Sequence, residues 1–187
     1  MRILIKILIS LVLFILVSGI FCFLGLRFFN SYILRNSKSE GLRVLVQMLM
    51  PPDDLYDYLM YEKIDVTKAG AVREFTFKNK YLGRHSFGIV LDNYSQDLYF
   101  NKSALKLKMQ VSFYIENNLY ISHTVESDYY SFTGRHKGGF GFDSYRCPDD
   151  LPKDKIITCR IAVITPDKEI SDKYGPIMFY VKKMSDE

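Results

Sequence analysis

The sequence predicts a mainly β protein: a transmembrane helix, a short helical stalk and an antiparallel β-sandwich of about seven strands. Three observations carry this. Residues Ile7 to Leu26 form an apolar run without charge or proline. After Asp65, apolar residues recur at every second position, the period of a strand. Turn-forming residues then cut this region into short segments, with none of the strand–helix alternation that builds a parallel sheet. The chain of 187 residues, with 14 Phe and 14 Tyr, has enough apolar surface for one compact domain beside the helix. Its net charge of +4 is far below the basic footprint of a nucleic-acid binder, and no nucleic-acid partner is expected.

The apolar run matches the length that about 20 helical residues need to cross a hydrocarbon core of roughly 30 Å. The first expected partner is therefore the lipid bilayer, through residues 7–26. A cleaved signal peptide is the competing reading, with Val17 and Gly19 tolerable before a cleavage site. The run continues through Ile20, Phe21, Phe23 and Leu24, which favours a retained signal-anchor. A lipoprotein site at Cys22 is disfavoured, because Phe21 stands where a small residue is required. Arg2 and Lys6 on a short leading tail favour an inside N-terminus, although Arg27, Arg35, Lys38 and Arg43 after the span argue the other way. The expectation is a single-pass bacterial inner-membrane protein with its C-terminal domain in the periplasm.

The boundaries follow as an anchor over 1–26, a stalk over 27–65 and a sandwich over 66–187. In the stalk, Phe28, Phe29, Tyr32 and Ile33 continue the first helix into the interfacial zone. Leu42, Leu45, Val46 and Leu49 form an apolar helical stripe that ends at Pro51-Pro52. Asp53 reads as the N-cap of a second short helix carrying Leu55, Tyr58 and Leu59.

Within the sandwich, Phe75 and Phe77, and then Phe87, Ile89 and Leu91, mark two strands. The clearest strand runs from Ala104 to Glu116, with Leu105, Leu107, Met109, Val111, Phe113 and Ile115 on its inner side. Parity predicts a three-residue hairpin loop of Glu116, Asn117 and Asn118, with Asn118 left-handed and Ile115 opposite Leu119 on the buried face. Further strands are expected over 140–147, 156–165 and 177–183, with a helical turn near 169–172.

Cys147 and Cys159 flank a turn-rich stretch holding Pro148, Asp149, Asp150, Pro152 and Asp154. Cysteines at the shoulders of such a loop suggest a disulfide, worth roughly 3 kcal/mol on a chain-entropy argument, and with it an oxidising compartment. Two unpaired core thiols are the alternative. No metal site is expected, since His123 and His136 stand at no recognised ligand spacing.

No catalytic motif emerges, and neither an enzyme activity, a cofactor nor a small-molecule substrate is expected. Gly134, Gly138, Gly139 and Gly141 around Arg135-His136-Lys137 approach a phosphate loop, but a strand follows where a helix should start, so residues 132–139 read as a loop. His123 lies on the presumed inner face between Ile121 and Val125. A catalytic role there would need a carboxylate or nucleophile to converge on it. His85 and His136 read as loop residues. The sequons at Asn93 and Asn101 are short enough to arise by chance.

Tyrosine density is the remaining signal. Tyr94, Tyr99, Tyr114, Tyr120, Tyr129 and Tyr130, with Arg135 and Lys137, make a candidate protein-binding surface, because a tyrosine ring buries large area with few rotors to freeze. Tyr145 belongs to the same aromatic set.

The basic-start anchor, the stalk and the single sandwich, with segments such as Arg73-Glu74-Phe75-Thr76-Phe77 and Tyr81-Leu82-Gly83-Arg84-His85, resemble small uncharacterised envelope proteins of Gram-negative bacteria. Some proteins of that design are immunity proteins that block a toxin delivered into the periplasm. The resemblance implies a membrane-anchored extracytoplasmic binding protein, with toxin neutralisation its most specific form. A scaffold or accessory subunit of an envelope or secretion complex is the alternative.

Overall fold

The computed structural model describes residues 2–91, 106–126, 138–148, 151 and 155–185. These form two compact units that divide between Asp53 and Asp54.

The first unit is a helical hairpin. Helix α1 (Arg2–Asn36) carries the apolar run, and its most apolar stretch is not buried inside the protein. A core helix of a soluble protein would be covered, so α1 is suited to a membrane anchor or a signal sequence. Helix α2 (Glu40–Leu49) begins at an N-cap, where Ser39 Oγ accepts from the Leu42 amide. It folds back along α1. Arg43 Nη1 donates to Ser37 O at 2.7 Å, Asn30 Nδ2 donates to Met50 O at 3.1 Å, and Arg27 faces Asp53 at 3.9 Å. The predicted stalk is thus a return hairpin that brings residue 53 beside residue 27.

The second unit is a sandwich of two antiparallel four-stranded sheets. The first contains β1 (Tyr58–Ile64), β3 (Gly83–Leu91), β6 (Gly138–Cys147) and β8 (Ile177–Lys183), in the order β1-β8-β3-β6. The second contains β2 (Val72–Lys78), β4 (Lys108–Ile115), β5 (Asn118–Glu126) and β7 (Ile156–Thr165), in the order β2-β7-β4-β5. A short helix α3 (Lys168–Tyr174) precedes β8, capped by Asp167, whose Oδ1 accepts from the Ile170 amide at 3.1 Å. The two inner faces share one core built on Phe87, Ile89, Met109, Val111, Phe113 and Phe179. Phe87 stacks against Phe179 and meets Phe113 edge-on, a geometry the ring quadrupoles favour.

Among the described residues there are eight strands against the expected seven or so, one of them close to where a second short helix was expected. Residues 53–56 form turns, and Tyr58–Ile64 pairs with β8 as β1. The sandwich therefore takes up residues that the sequence places in the stalk. Asp54 fastens this entry, accepting hydrogen bonds from Lys80 Nζ and Tyr81 Oη. Burial alone would raise its carboxyl, but those two bonds and the Lys80 charge more than offset that and hold it below the usual carboxylate range.

The predicted hairpin register fails at its tip. Glu116 and Asn117, at φ 52° and 66°, make a two-residue turn in which Ile115 pairs with Asn118 and Tyr114 with Leu119. Two successive positive φ values match the twist of the flanking strands. The register then shifts, so that Phe113 pairs with Ile121 and Tyr120 is the extra residue of a bulge. The bulge settles the parity conflict that a three-residue loop was expected to settle. It also leaves Leu119 opposite in sense to Ile115, on the outer face with Tyr114.

The expected disulfide is not formed. Cys147 ends β6 in one sheet and Cys159 lies within β7 in the other; both are buried, and neither is disulfide-bonded. The two strands are consecutive in the chain but belong to different sheets, which separates the shoulders the sequence brought together. Tyr145, buried close to both thiols, occupies the interior there. Burial pushes the Cys159 thiol far above its ordinary value, so it stays protonated and unreactive.

Candidate functional site

Of the candidate surface residues, Tyr94, Tyr99, Tyr129, Tyr130, Arg135 and Lys137 lie outside the described residues, as do both sequons and His136. Tyr114 and Tyr120 are described, and the structure sends them to different places.

Tyr114 stands on the outer face of the β2-β7-β4-β5 sheet. There, with Gln110, Ser112, Leu119, Ser122 and Arg160, it lines a shallow groove of about 280 Å³. The pairing explains the floor. Ser112 lies opposite Ser122 on β5 and opposite Arg160 on β7, so two hydroxyls and the flanking Ala162 leave a low strip between longer side chains. The hydroxyls satisfy one another at 2.8 Å, and Gln110 Nε2 donates to Ser122 Oγ at 3.3 Å. Arg160 Nε is held 3.6 Å from Glu74 Oε1 on the edge strand. Toward the hairpin tip the face turns apolar. Leu119 is 58% exposed and Ile156 is 55% exposed.

Tyr120, the bulge residue, instead crosses the open edge of the sandwich. Its Oη donates to Arg146 O on β6 at 2.7 Å. A second bond closes the same edge, where His123 Nδ1 lies 2.7 Å from Asp143 Oδ2. Asp143 is the carboxylate that His123 requires for a catalytic reading, and the sequence does not reveal it. A bulge opposite Phe87 and Gly88 shifts the parity of β6, so that Phe142 and Tyr145 both face inward. The approach of the strands is close there. A Cβ on Gly88 would stand 1.9 Å from Phe140 O, which only glycine tolerates.

The His123–Asp143 pair has a catalytic outline without catalytic access. His123 Nε2 is shut off from solvent without a hydrogen-bond partner, and the ring lies 5.4 Å from that of the fully buried Phe87. A general base must reach its substrate, and this nitrogen faces the core. The pair joins two edge strands. His85, read from sequence as a loop residue, is likewise structural: it is buried in β3, stacks on Tyr145 at 5.4 Å and meets Gly83 O at 3.1 Å through Nδ1. Tyr145 is a core residue. Burial first, then the neighbouring Cys147, Cys159 and Tyr120, push its hydroxyl well above the ordinary range.

A larger hollow of about 800 Å³ opens at the opposite edge, beside Lys63, Asp65, Arg73, Phe75, Ser171 and Ile177. Asp65 is engaged there by the amide and hydroxyl of Thr67 at 2.9 and 2.6 Å. The hollow's lining carries charges of both signs, Lys63 and Arg73 against Asp65. Among the described residues, no three His, Cys, Asp or Glu side chains gather as metal ligands would.

No family profile and no curated protein matches the chain. Several solved structures show some likeness, two of them as follows. One is a crystal structure of a protein from Sulfurospirillum deleyianum, 11% identical, with a TM-score of 0.46 over 67% of this chain and 96% of that one. The other is the VP2 subviral particle of infectious bursal disease virus, 12% identical, with a TM-score of 0.27 over 67% of this chain and 37% of that one. Neither likeness carries an argument about function, which rests on the residues themselves.

Proposed function

We propose that this chain is a bilayer-anchored binding protein without catalytic activity, which engages a protein partner through the outer face of its β2-β7-β4-β5 sheet. The observation that carries the reading is the groove on that face. A low hydroxyl floor at Ser112 and Ser122 is rimmed by Tyr114, Leu119 and Arg160. Interfaces combine a recess, an aromatic or apolar anchor and an arginine in this manner, with satisfied polar groups around them. The exposed Leu119 and Ile156 extend the apolar end of the face.

The domain is assigned to the extracytoplasmic side of a bacterial inner membrane on the short basic tail of Arg2 and Lys6 before the span. Buried thiols are consistent with either compartment, so the assignment draws nothing from them. Neutralisation of a toxin delivered to that compartment is the most specific form of the proposal. Proteolysis of intact spheroplasts tests the compartment: the domain should be digested, and its protection would overturn the assignment.

The binding reading is tested by co-purification from native-host membranes. A partner should be held by the wild type and by a chain whose span is replaced with an unrelated one. It should be lost from Leu119→Asp, which places a charge on the apolar rim at a cost of about 2 kcal/mol in affinity. Equal retention by Leu119→Asp would overturn the choice of face. Loss on replacing the span alone would favour the scaffold alternative.

A further inference from the structure

Helix α2 has its polarity inverted. Its covered side holds Arg43, Val46 and Gln47, while Leu42, Leu45, Met48 and Leu49 are exposed, the last two at 67% and 59%. A surface helix of a water-soluble unit does the reverse and turns its apolar stripe to the core. The covered side accounts for its own polarity, since Arg43 is spent on Ser37 O. The exposed side has no such account in water.

Its position supplies one. Asn30 donates to Met50 O, so the C-terminal end of α2 is level with residue 30 of α1. Leu26, the last residue of the apolar run, lies four residues earlier, about 6 Å along the helix axis. The polar zone of a bilayer extends roughly 5–8 Å beyond the hydrocarbon on each side. Because α2 rises away from the bilayer as it is followed back from Met50, Leu49 stands about 7–8 Å beyond Leu26, within that zone, and Met48 about 9 Å, at its outer edge, if residues 7–26 fill the core. At the same level, Phe28 and Tyr32 lie one turn apart on the side of α1 away from Asn30 and Leu34, and Phe29 lies between the two sides. All three rings are exposed. An aromatic and apolar collar thus surrounds the helix at one height, continuous with the apolar span below it. Arg27 and Asp53, paired across the two limbs, close the hairpin at its base.

We infer that the α1–α2 hairpin is a membrane-seated foot: the C-terminal turn of α2 stands in the headgroup zone with Met48 and Leu49 turned to lipid, and Phe28, Phe29 and Tyr32 complete the ring. The occupant of the stripe's lower end, at Met48 and Leu49, is lipid. The inference rests on α1 being retained in the bilayer.

The sequence contains no tryptophan, so a single introduced indole reports its own surroundings. Full-length Met48→Trp, Leu49→Trp, Phe14→Trp and Thr124→Trp, each reconstituted in phosphatidylcholine vesicles, are compared with quenchers placed near the headgroup or at the chain end. Tryptophan at positions 48 and 49 should emit at short wavelength and lose most of its intensity to the shallow quencher. Position 14 should respond to the deep quencher and position 124 to neither. Indoles at 48 and 49 that no lipid-borne quencher reaches, while position 14 is quenched, would overturn the foot and leave the anchor standing. If those indoles are blue-shifted yet unquenched and the protein runs as a dimer, a second copy covers the stripe and the inference fails. An unquenched indole at position 14 would remove the span, and the foot with it.

Discussion

The two sheets of the sandwich are built from the same residue types and solve opposite problems. In the β1-β8-β3-β6 sheet, the central strands are covered on both faces: β3 buries Val90 as well as Phe87, Ile89 and Leu91, and β8 buries Tyr180 as well as Phe179 and Val181. In the β2-β7-β4-β5 sheet, β7 alternates cleanly, with Ile157, Cys159, Ile161 and Val163 inside and Ile156, Arg160 and Ile164 outside. A sheet with one wet face must alternate, whereas one covered on both faces reads as a nearly continuous apolar run. The open face is the one available to a partner, and it is the face with the groove.

The contrast is broken most severely by a charge on the covered sheet. Val90→Asp should destabilise the sandwich by about 3–5 kcal/mol, because an unpaired carboxylate would be buried. The check is urea unfolding in detergent, set against Thr124→Asp on the wet face of β5, which should stay within about 0.5 kcal/mol of the wild type. Equal costs would mean that the two sheets are equally exposed. Next in size is Gly88→Ala, where the added methyl meets the Phe140 carbonyl. The β3–β6 contact must part, at a cost of about 2–3 kcal/mol in the same assay.

The edge that joins the sheets gives smaller effects. Tyr120→Phe removes one hydrogen bond to Arg146 O and should cost about 1 kcal/mol. Amide exchange should then rise in β5 and β6 but not in β1 and β8. Asp54 sets a pH dependence at the start of the sandwich. Its carboxyl is held below its unfolded value of about 3.9. The stabilisation it provides is therefore complete above that pH, and is lost as the pH falls through the lower folded value. Asp54→Asn should be less stable than the wild type at neutral pH by at most about 1 kcal/mol, since the Lys80–Asp54 pair is partly exposed and screened. That difference should close in acid. A gap that widens on acidification would contradict the sign.

Legibility followed the same division. The alternating strands β4 and β7 were plain in sequence because each has one wet face. β1 was not, since Leu55, Tyr58 and Leu59 fall at helical spacing and only pairing with β8 makes Tyr58–Ile64 a strand. Bulges account for most of the rest. One at Tyr120 restored the inward parity of Phe113 and Ile121 while sparing the two-residue turn. The other, opposite Gly88, brought Tyr145 inside and left Asp143 at the edge beside His123. In sequence a one-residue shift of this kind shows only as a parity conflict, which a longer turn accounts for equally well. The groove was half legible: Tyr114 was a candidate, but Ser112 and Ser122 are ordinary strand residues until pairing sets them opposite each other. The cysteines misled because two thiols at the shoulders of one loop were expected to meet, whereas the strands that carry them belong to different sheets.

The most direct measurement is photo-crosslinking in native-host membranes, with the reactive residue at Leu119 or Ser122 on the open face, or at Glu62 or Lys63 on β1. The account predicts adducts to the same partner from the first two positions and none from the other two. Adducts from β1 alone, or from all four positions equally, would contradict it.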